Sequence, residues 1–141
     1  MTIMIGDRFS RTTKITDERI RQFAAASGDT NSVHLDDDYA KQTRFGRRIA
    51  HGMLTASLIS AILGNDLPGV GTIYLSQNVK FKAPVFIDDE ITAEVEVTAY
   101  REDKRITTLK TTCTNQDGVV VVEGEAVVIA PESGEASSQL K

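Results

Sequence analysis

Both histidines of the chain lie in two short segments rich in groups that can move protons. The first runs Ser27-Gly28-Asp29-Thr30-Asn31-Ser32-Val33-His34, and the second Ile49-Ala50-His51-Gly52-Met53. Asp29 and His34 cannot share a helical face at this spacing, but a turn brings both side chains to one point. An Asp beside a His is the simplest pair for general acid–base work near neutral pH. Gly52 adds a third group. An apolar run follows it at once, so a backbone N–H at that helix entry meets little competing water and can serve as an oxyanion donor.

Each residue also has a plain structural use. Asp29 caps a turn, as Asp commonly does after a helix. His34 is a surface loop residue, and Asn31 makes an Asx-turn, a role that fits it even inside an active site. His51 is the N-cap of the helix that follows, and Gly52 serves a tight helix entry. Ser60, mid-helix on an apolar stretch, is buried and back-bonds to the carbonyl four residues earlier. Asp36-Asp37-Asp38 is a solvated helix start, and Cys113 is a core or interface residue. Arg47, Arg48, Lys80 and Lys82 are surface charge, with a second use at the phosphates of an anionic substrate.

The elements that must position these groups follow from the pattern. A first strand is predicted over 8–14. Thr16 is an N-cap, with Asp17 and Glu18 at the positive end of a helix dipole. Ile20, Phe23, Ala24 and Ser27 share one face of that helix, and Gly28 ends it. Residues 29–35 read as an irregular turn, 36–42 as a short helix and 44–50 as a loop. From His51 to Leu63 apolar residues occupy nearly every face, the mark of a buried helix. Strands follow over 73–81, 91–99, 106–114 and 119–130, joined by short turns. Val120 and Val122 lie on the opposite face from Val119 and Val121, so the last strand is expected to be buried on both sides. This is an α+β arrangement, a curved antiparallel sheet wrapped around one long buried helix. A homodimer pairing sheet edge to edge would cover the exposed edge.

Length and composition set the outer bounds. The chain has 141 residues, one domain's worth, assigned to 1–130 with a disordered tail over 131–141. Sixteen basic against twenty acidic residues give a net charge of −4, without the footprint of a nucleic-acid binder. One cysteine excludes an internal disulfide framework, and two histidines with one cysteine make a poor basis for zinc. Met53 to Leu63 falls far short of a membrane span, and the first ten residues carry no secretory signal. A cytoplasmic protein is expected.

The chain resembles the (R)-specific enoyl-CoA hydratases of the MaoC-like, hot-dog-fold group, in particular the short type that supplies polyhydroxyalkanoate synthesis. The residues that carry the likeness are Phe23 to His34, Tyr39-Ala40, Ile49-Ala-His-Gly-Met-Leu54, Leu67-Pro-Gly69, Phe81-Lys-Ala-Pro-Val85, Asp88-Asp-Glu90 and Glu123-Gly-Glu-Ala126. The resemblance implies a helix wrapped by a curved sheet, with two subunits forming one continuous sheet. It implies that Asp29 and His34 are the catalytic pair holding one water, and that the Gly52 amide binds the thioester oxygen. Ser60 would position the Asp, and Asn31 would brace the segment that carries the pair. One departure is visible: the family usually has Pro after the Asn, and this chain has Ser32, which loosens the turn.

The expected reaction is reversible hydration of a trans-2-enoyl-CoA to an (R)-3-hydroxyacyl-CoA. Asp29 acts as base in its ionised form, and His34 acts as acid if it holds a proton at working pH. No metal or organic cofactor is expected, since the CoA thioester is itself the activated substrate. Leu63, Val127 and Val128 are candidates to line the acyl pocket, for short to medium chains. The alternatives are a dehydratase acting on acyl-carrier-protein thioesters, an acyl-CoA thioesterase, and a non-catalytic acyl-CoA-binding module.

Overall fold

The computed structural model describes residues 2–132. Its elements run β1 (Arg8–Lys14), α1 (Asp17–Ser27), α2 (Ser32–Leu35), α3 (Asp37–Lys41), α4 (Gly52–Asn65), β2 (Ile73–Phe81), β3 (Glu90–Arg101), β4 (Ile106–Thr114) and β5 (Val120–Ile129). The five strands form one antiparallel sheet in the order β1-β3-β4-β5-β2, and α4 packs on it, touching every strand. Arg105 is 3.4 Å from Glu132, just past the last strand. The rest of the tail assigned from the sequence, 133–141, lies outside the described residues. Among the described residues no helix is long and apolar enough to cross a membrane.

Alternation places Ile91, Ala93, Val95 and Val97 of β3 on the core face, against Ile59, Ile62 and Leu63 of α4. Ala99 breaks that alternation: it is exposed, because an extra residue, Thr98, interrupts the register with β4. Similar irregularities fall at Leu75 in β2 and Val121 in β5. A residue inserted into one strand bends it and raises its twist, which lets a five-stranded sheet curl over a helix.

Three expectations need correction here. Val121 and Val122 are both fully buried because the irregularity at Val121 turns consecutive side chains to the core; within the single chain this, and not cover on both faces, accounts for their burial. Residues 29–35 are not all irregular: Asn31 caps the single-turn helix α2 through its side chain. The long helix is not buried all round. The sheet covers its Leu54, Thr55, Ala56, Ile59, Ile62 and Leu63 side, while Met53, Ser57, Ser60 and Gly64, three or four residues apart, face outward. Ser60 is therefore exposed in the single chain, and no back-bond is seen for it.

Candidate active site

The segment from α1 to α3 is shaped by side chains that satisfy backbone donors. Gly28 ends α1 with φ 82, and its N–H donates to the Ala24 carbonyl. The Ser27 hydroxyl accepts from Asp29 N at 3.1 Å, Asp29 Oδ1 from Asn31 N at 3.2 Å, and Asn31 Oδ1 from Val33 N at 3.1 Å. Asp29 therefore does cap a turn. It is also exposed, and its carboxylate lies within 4.8 Å of a ring nitrogen of each histidine. The segment thus brings Asp29 and His34 together, as a turn at their spacing predicts.

The two histidines are buried and stacked, with ring centroids 3.9 Å apart. His34 Nδ1 lies 2.8 Å from the Ile49 carbonyl oxygen. A carbonyl only accepts, so Nδ1 carries the hydrogen and the neutral ring keeps its lone pair on Nε2. His51 has the opposite arrangement: its Nε2 donates to the Asp29 carbonyl at 2.9 Å, which leaves Nδ1 bare. That atom and Thr55 Oγ1 are buried with no hydrogen-bond partner among the described residues. His51 is also the N-cap of α4 by position, but it makes no side-chain cap bond.

Burial holds the His34 pKa below its ordinary value of 6.5; the Ile49 carbonyl opposes this, His51 adds to it, and Asp29 opposes it. A neutral His34 at neutral pH does not fit the expected role of an acid already holding its proton. Asp29, His34 and His51 are close enough to suggest a metal. Zinc would need lone pairs converging at ~2.0–2.1 Å, however, and rings stacked only 27° from parallel do not aim them at one point.

At the start of α4 the Leu54 and Thr55 N–H groups both reach the His51 carbonyl, at 3.1 and 3.4 Å. With no cap side chain, the Gly52 amide is left as an open donor at the positive helix end. The glycine leaves room for a neighbour: a Cβ would stand 2.6 Å from the Phe81 ring edge, which would have to move. Asp29, His34, His51 and Gly52 open on one cavity of about 430 Å³, walled by Phe81, Val85, Val121 and Val122. Arg44 and Lys82 also line it.

Other expected site residues sit elsewhere. Leu63 and Val128 are closed in the core and Val127 is on β5 away from the cavity, so none of the three lines it in this chain. For Leu63 and Val128, apolar character suits a pocket and a core equally, and packing decided for the core, whereas Val127 is half-buried on the other face of β5. Ser60 lines a separate groove with Phe23, Met53, Tyr74 and Leu75, not the Asp29 cavity. Arg48 is not surface charge but buried. From the sequence, Phe81 enters only as part of the family likeness and Thr55 not at all as a site residue; a strand aromatic and a helix threonine carry no signal that separates site from scaffold.

Residues 5–119 match the MaoC-like domain family. The chain belongs to that family. It is 50% identical over 130 residues to the (R)-specific enoyl-CoA hydratase of Aeromonas caviae, covering 92% of this chain and 97% of that protein. A solved (R)-hydratase from A. caviae, described as involved in PHA biosynthesis, superposes with a TM-score of 0.90 over 92% of this chain and 98% of its own. The unliganded R-hydratase PhaJ1 of Pseudomonas aeruginosa is 44% identical, with a TM-score of 0.89, covering 93% and 84% of the two chains. The architecture of this MaoC-like protein is the hot-dog fold.

Proposed function

We propose that this protein is an (R)-specific enoyl-CoA hydratase, adding water across the double bond of a trans-2-enoyl-CoA to give an (R)-3-hydroxyacyl-CoA. The observation that carries the reading is the meeting of the Asp29 carboxylate and the neutral His34 ring at a cavity that also holds the open Gly52 amide. The likeness to hydratases at 50% identity supports it.

The chemistry follows from the proton inventory. His34 Nε2 has a lone pair and no proton, and Asp29 brings an acceptor oxygen within 4.8 Å of a His34 ring nitrogen. A water between them gives one hydrogen bond to each. Its oxygen adds to the β-carbon while one proton passes to His34 Nε2. Electron density moves through the α-carbon to the thioester oxygen, where the Gly52 N–H and the helix dipole stabilise it. One such donor contributes about 2.7–4 kcal/mol. The imidazolium then returns the proton to the α-carbon. The proton delivered is thus the one taken from water, and both additions come from one side. The CoA thioester is the activated group, so the scheme uses no cofactor.

The cavity walls of Val85, Val121 and Val122 suit a short to medium acyl chain. An (R)-3-hydroxyacyl-CoA is a monomer for polyhydroxyalkanoate synthesis, and we place the reaction in the cytoplasm. We read the active form as a homodimer. Support comes from β2, an edge strand with Ile73, Tyr74, Leu75 and Phe81 exposed, next to the open face of α4.

The test adds purified protein to crotonyl-CoA and follows enoyl absorbance, free thiol and the product enantiomer. The expected result is loss of absorbance without thiol, an (R) product, and a rate lower by about 10²–10⁴-fold in Asp29→Asn. Thiol release would replace the reading with a thioesterase, and activity only on carrier-protein thioesters with the corresponding dehydratase.

A further inference from the structure

One buried charge plays no part in the scheme above. The Arg48 side chain is only 6% exposed. Its Nε donates to the His34 carbonyl oxygen at 2.7 Å, and its Nη2 donates to Asp17 Oδ1. Nη1 lies 3.9 Å from the exposed Asp37. One planar fork therefore joins the first turn of α1, the α2 main chain and, more weakly, the start of α3. A lysine, with a single point charge, cannot reproduce that geometry.

The bonds around it converge on one residue. Ile49 N donates to the Val33 carbonyl at 3.2 Å, and the His34 ring donates back to the Ile49 carbonyl at 2.8 Å. Residues 33–34 and 48–49 are thus stitched side by side, with the Arg48 guanidinium as the charged stitch. Hydrogen bonds from a charged donor are stronger than neutral ones, and this one is shielded from water. We infer that Arg48 is a positioning residue, which fixes the main chain of His34 while Asp17 supplies the counter-charge that keeps the guanidinium in place.

This inference rests on the proposed role of His34, but its test does not depend on turnover. The chain has two histidines, so each imidazole can be followed by NMR, with His51→Gln making the assignment. Asp29 and His51 are the titratable groups facing the His34 ring; Asp17 and Asp37 are those facing Arg48. In Arg48→Met the His34 titration should rise toward 6.5 as the ring gains water. The kcat should drop by on the order of 10²-fold, as for a misplaced catalytic group, with KM little changed. Arg48→Lys and Asp17→Asn, milder if Arg48→Met folds poorly, should shift both quantities the same way by less. Asp37→Asn should change neither.

A His34 titration and kcat that stay at wild-type values in folded Arg48→Lys and Asp17→Asn would overturn the inference. So would losses that track the folded fraction alone. A parent protein without hydratase activity would sink the functional reading only, since the imidazole titration would still decide whether Arg48 positions His34.

Discussion

The α4 wall of the site and the segment over 28–36 that faces it are held by different kinds of bonds. On α4, Ile59, Ile62 and Leu63 are fully buried against the sheet, so the Gly52 amide stands at the end of a rod fixed by the core. Across the cavity, Asp29, Thr30, Asn31 and Ser32 are all exposed. Local side-chain caps, two histidine rings and one buried guanidinium hold them. Burial is insensitive to pH and to single polar changes; a chain of polar bonds is sensitive to both. The proposed reaction would combine the two walls: Gly52 as oxyanion donor is pre-set by packing, while Asp29 and His34 as the proton-handling pair depend on a polar web.

The sharpest way to break the rigid wall is Gly52→Ala. The new Cβ would meet Phe81 at 2.6 Å, and the crowding sits on the residue whose amide faces the substrate. Alanine keeps the N–H, so the expected drop in kcat comes from a shifted amide or from the Phe81 ring displaced within the cavity it walls. It is at most about 10²–10³-fold, the cost of a lost oxyanion donor. Stability should change little, because Phe81 is 54% exposed and its ring can swing out. Combining it with Phe81→Ala should recover part of the rate. Steady-state kinetics and thermal melts of the single and double variants check this. Equal losses in both would mean that the Phe81 contact does not set the amide.

The same contrast explains which features were legible in the sequence. The strand alternation, the cap at Thr16 and the meeting of Asp29 with His34 follow from local chemistry written at those residues, whereas the sequence marks Asn31 as a turn residue and not as the cap of a short helix. Ser60 and the Val120–Val122 run were misread for a common reason: their burial depends on what packs against them. An exposed helix face and a strand irregularity are decided by tertiary fit and leave no mark in the residue types. Arg48 was misread because an Arg-Arg pair looks alike on a surface or in a cleft. Only the approach of Asp17 and the His34 carbonyl marks it as buried.

The polar wall should reveal itself in pH dependence. Hydration needs His34 neutral, so kcat/KM should hold at neutral pH and fall on the acid side. The fall should come below 6.5, because burial lowers the pKa, and it should approach tenfold per pH unit. The same shift affects stability. In the unfolded chain the imidazole binds its proton near its ordinary pKa, while the folded ring does so only at lower pH. Stability therefore falls as pH drops through that window. Asp17, held below 3.8 first by its bond to Arg48 and then by Arg21, adds a loss of stability at more acid pH. A kcat/KM profile beside urea midpoints over the same range separates the two groups. An acid limb above 6.5 would contradict a desolvated His34.

The smallest effect concerns Ser32, where the family resemblance leads to the expectation of proline. Ser32 is the first residue of α2, where a backbone N–H has no partner within the helix and proline's fixed φ suits the helix start. Asn31 before it has ψ 131, the extended conformation that a following proline demands. The helix bond through the Ser32 carbonyl, accepting from Asp36 N at 2.9 Å, does not involve its N–H and would survive. Ser32→Pro should therefore stabilise the protein by about 0.4–1 kcal/mol, by restricting the unfolded chain. Activity should change little, since Ser32 is not among the proton-handling groups. A urea titration with the same slope and a higher midpoint is the expected signature. A lower midpoint would mean that the Ser32 N–H or hydroxyl supports the polar wall directly, so that the polar bonds and not a restricted backbone brace this turn.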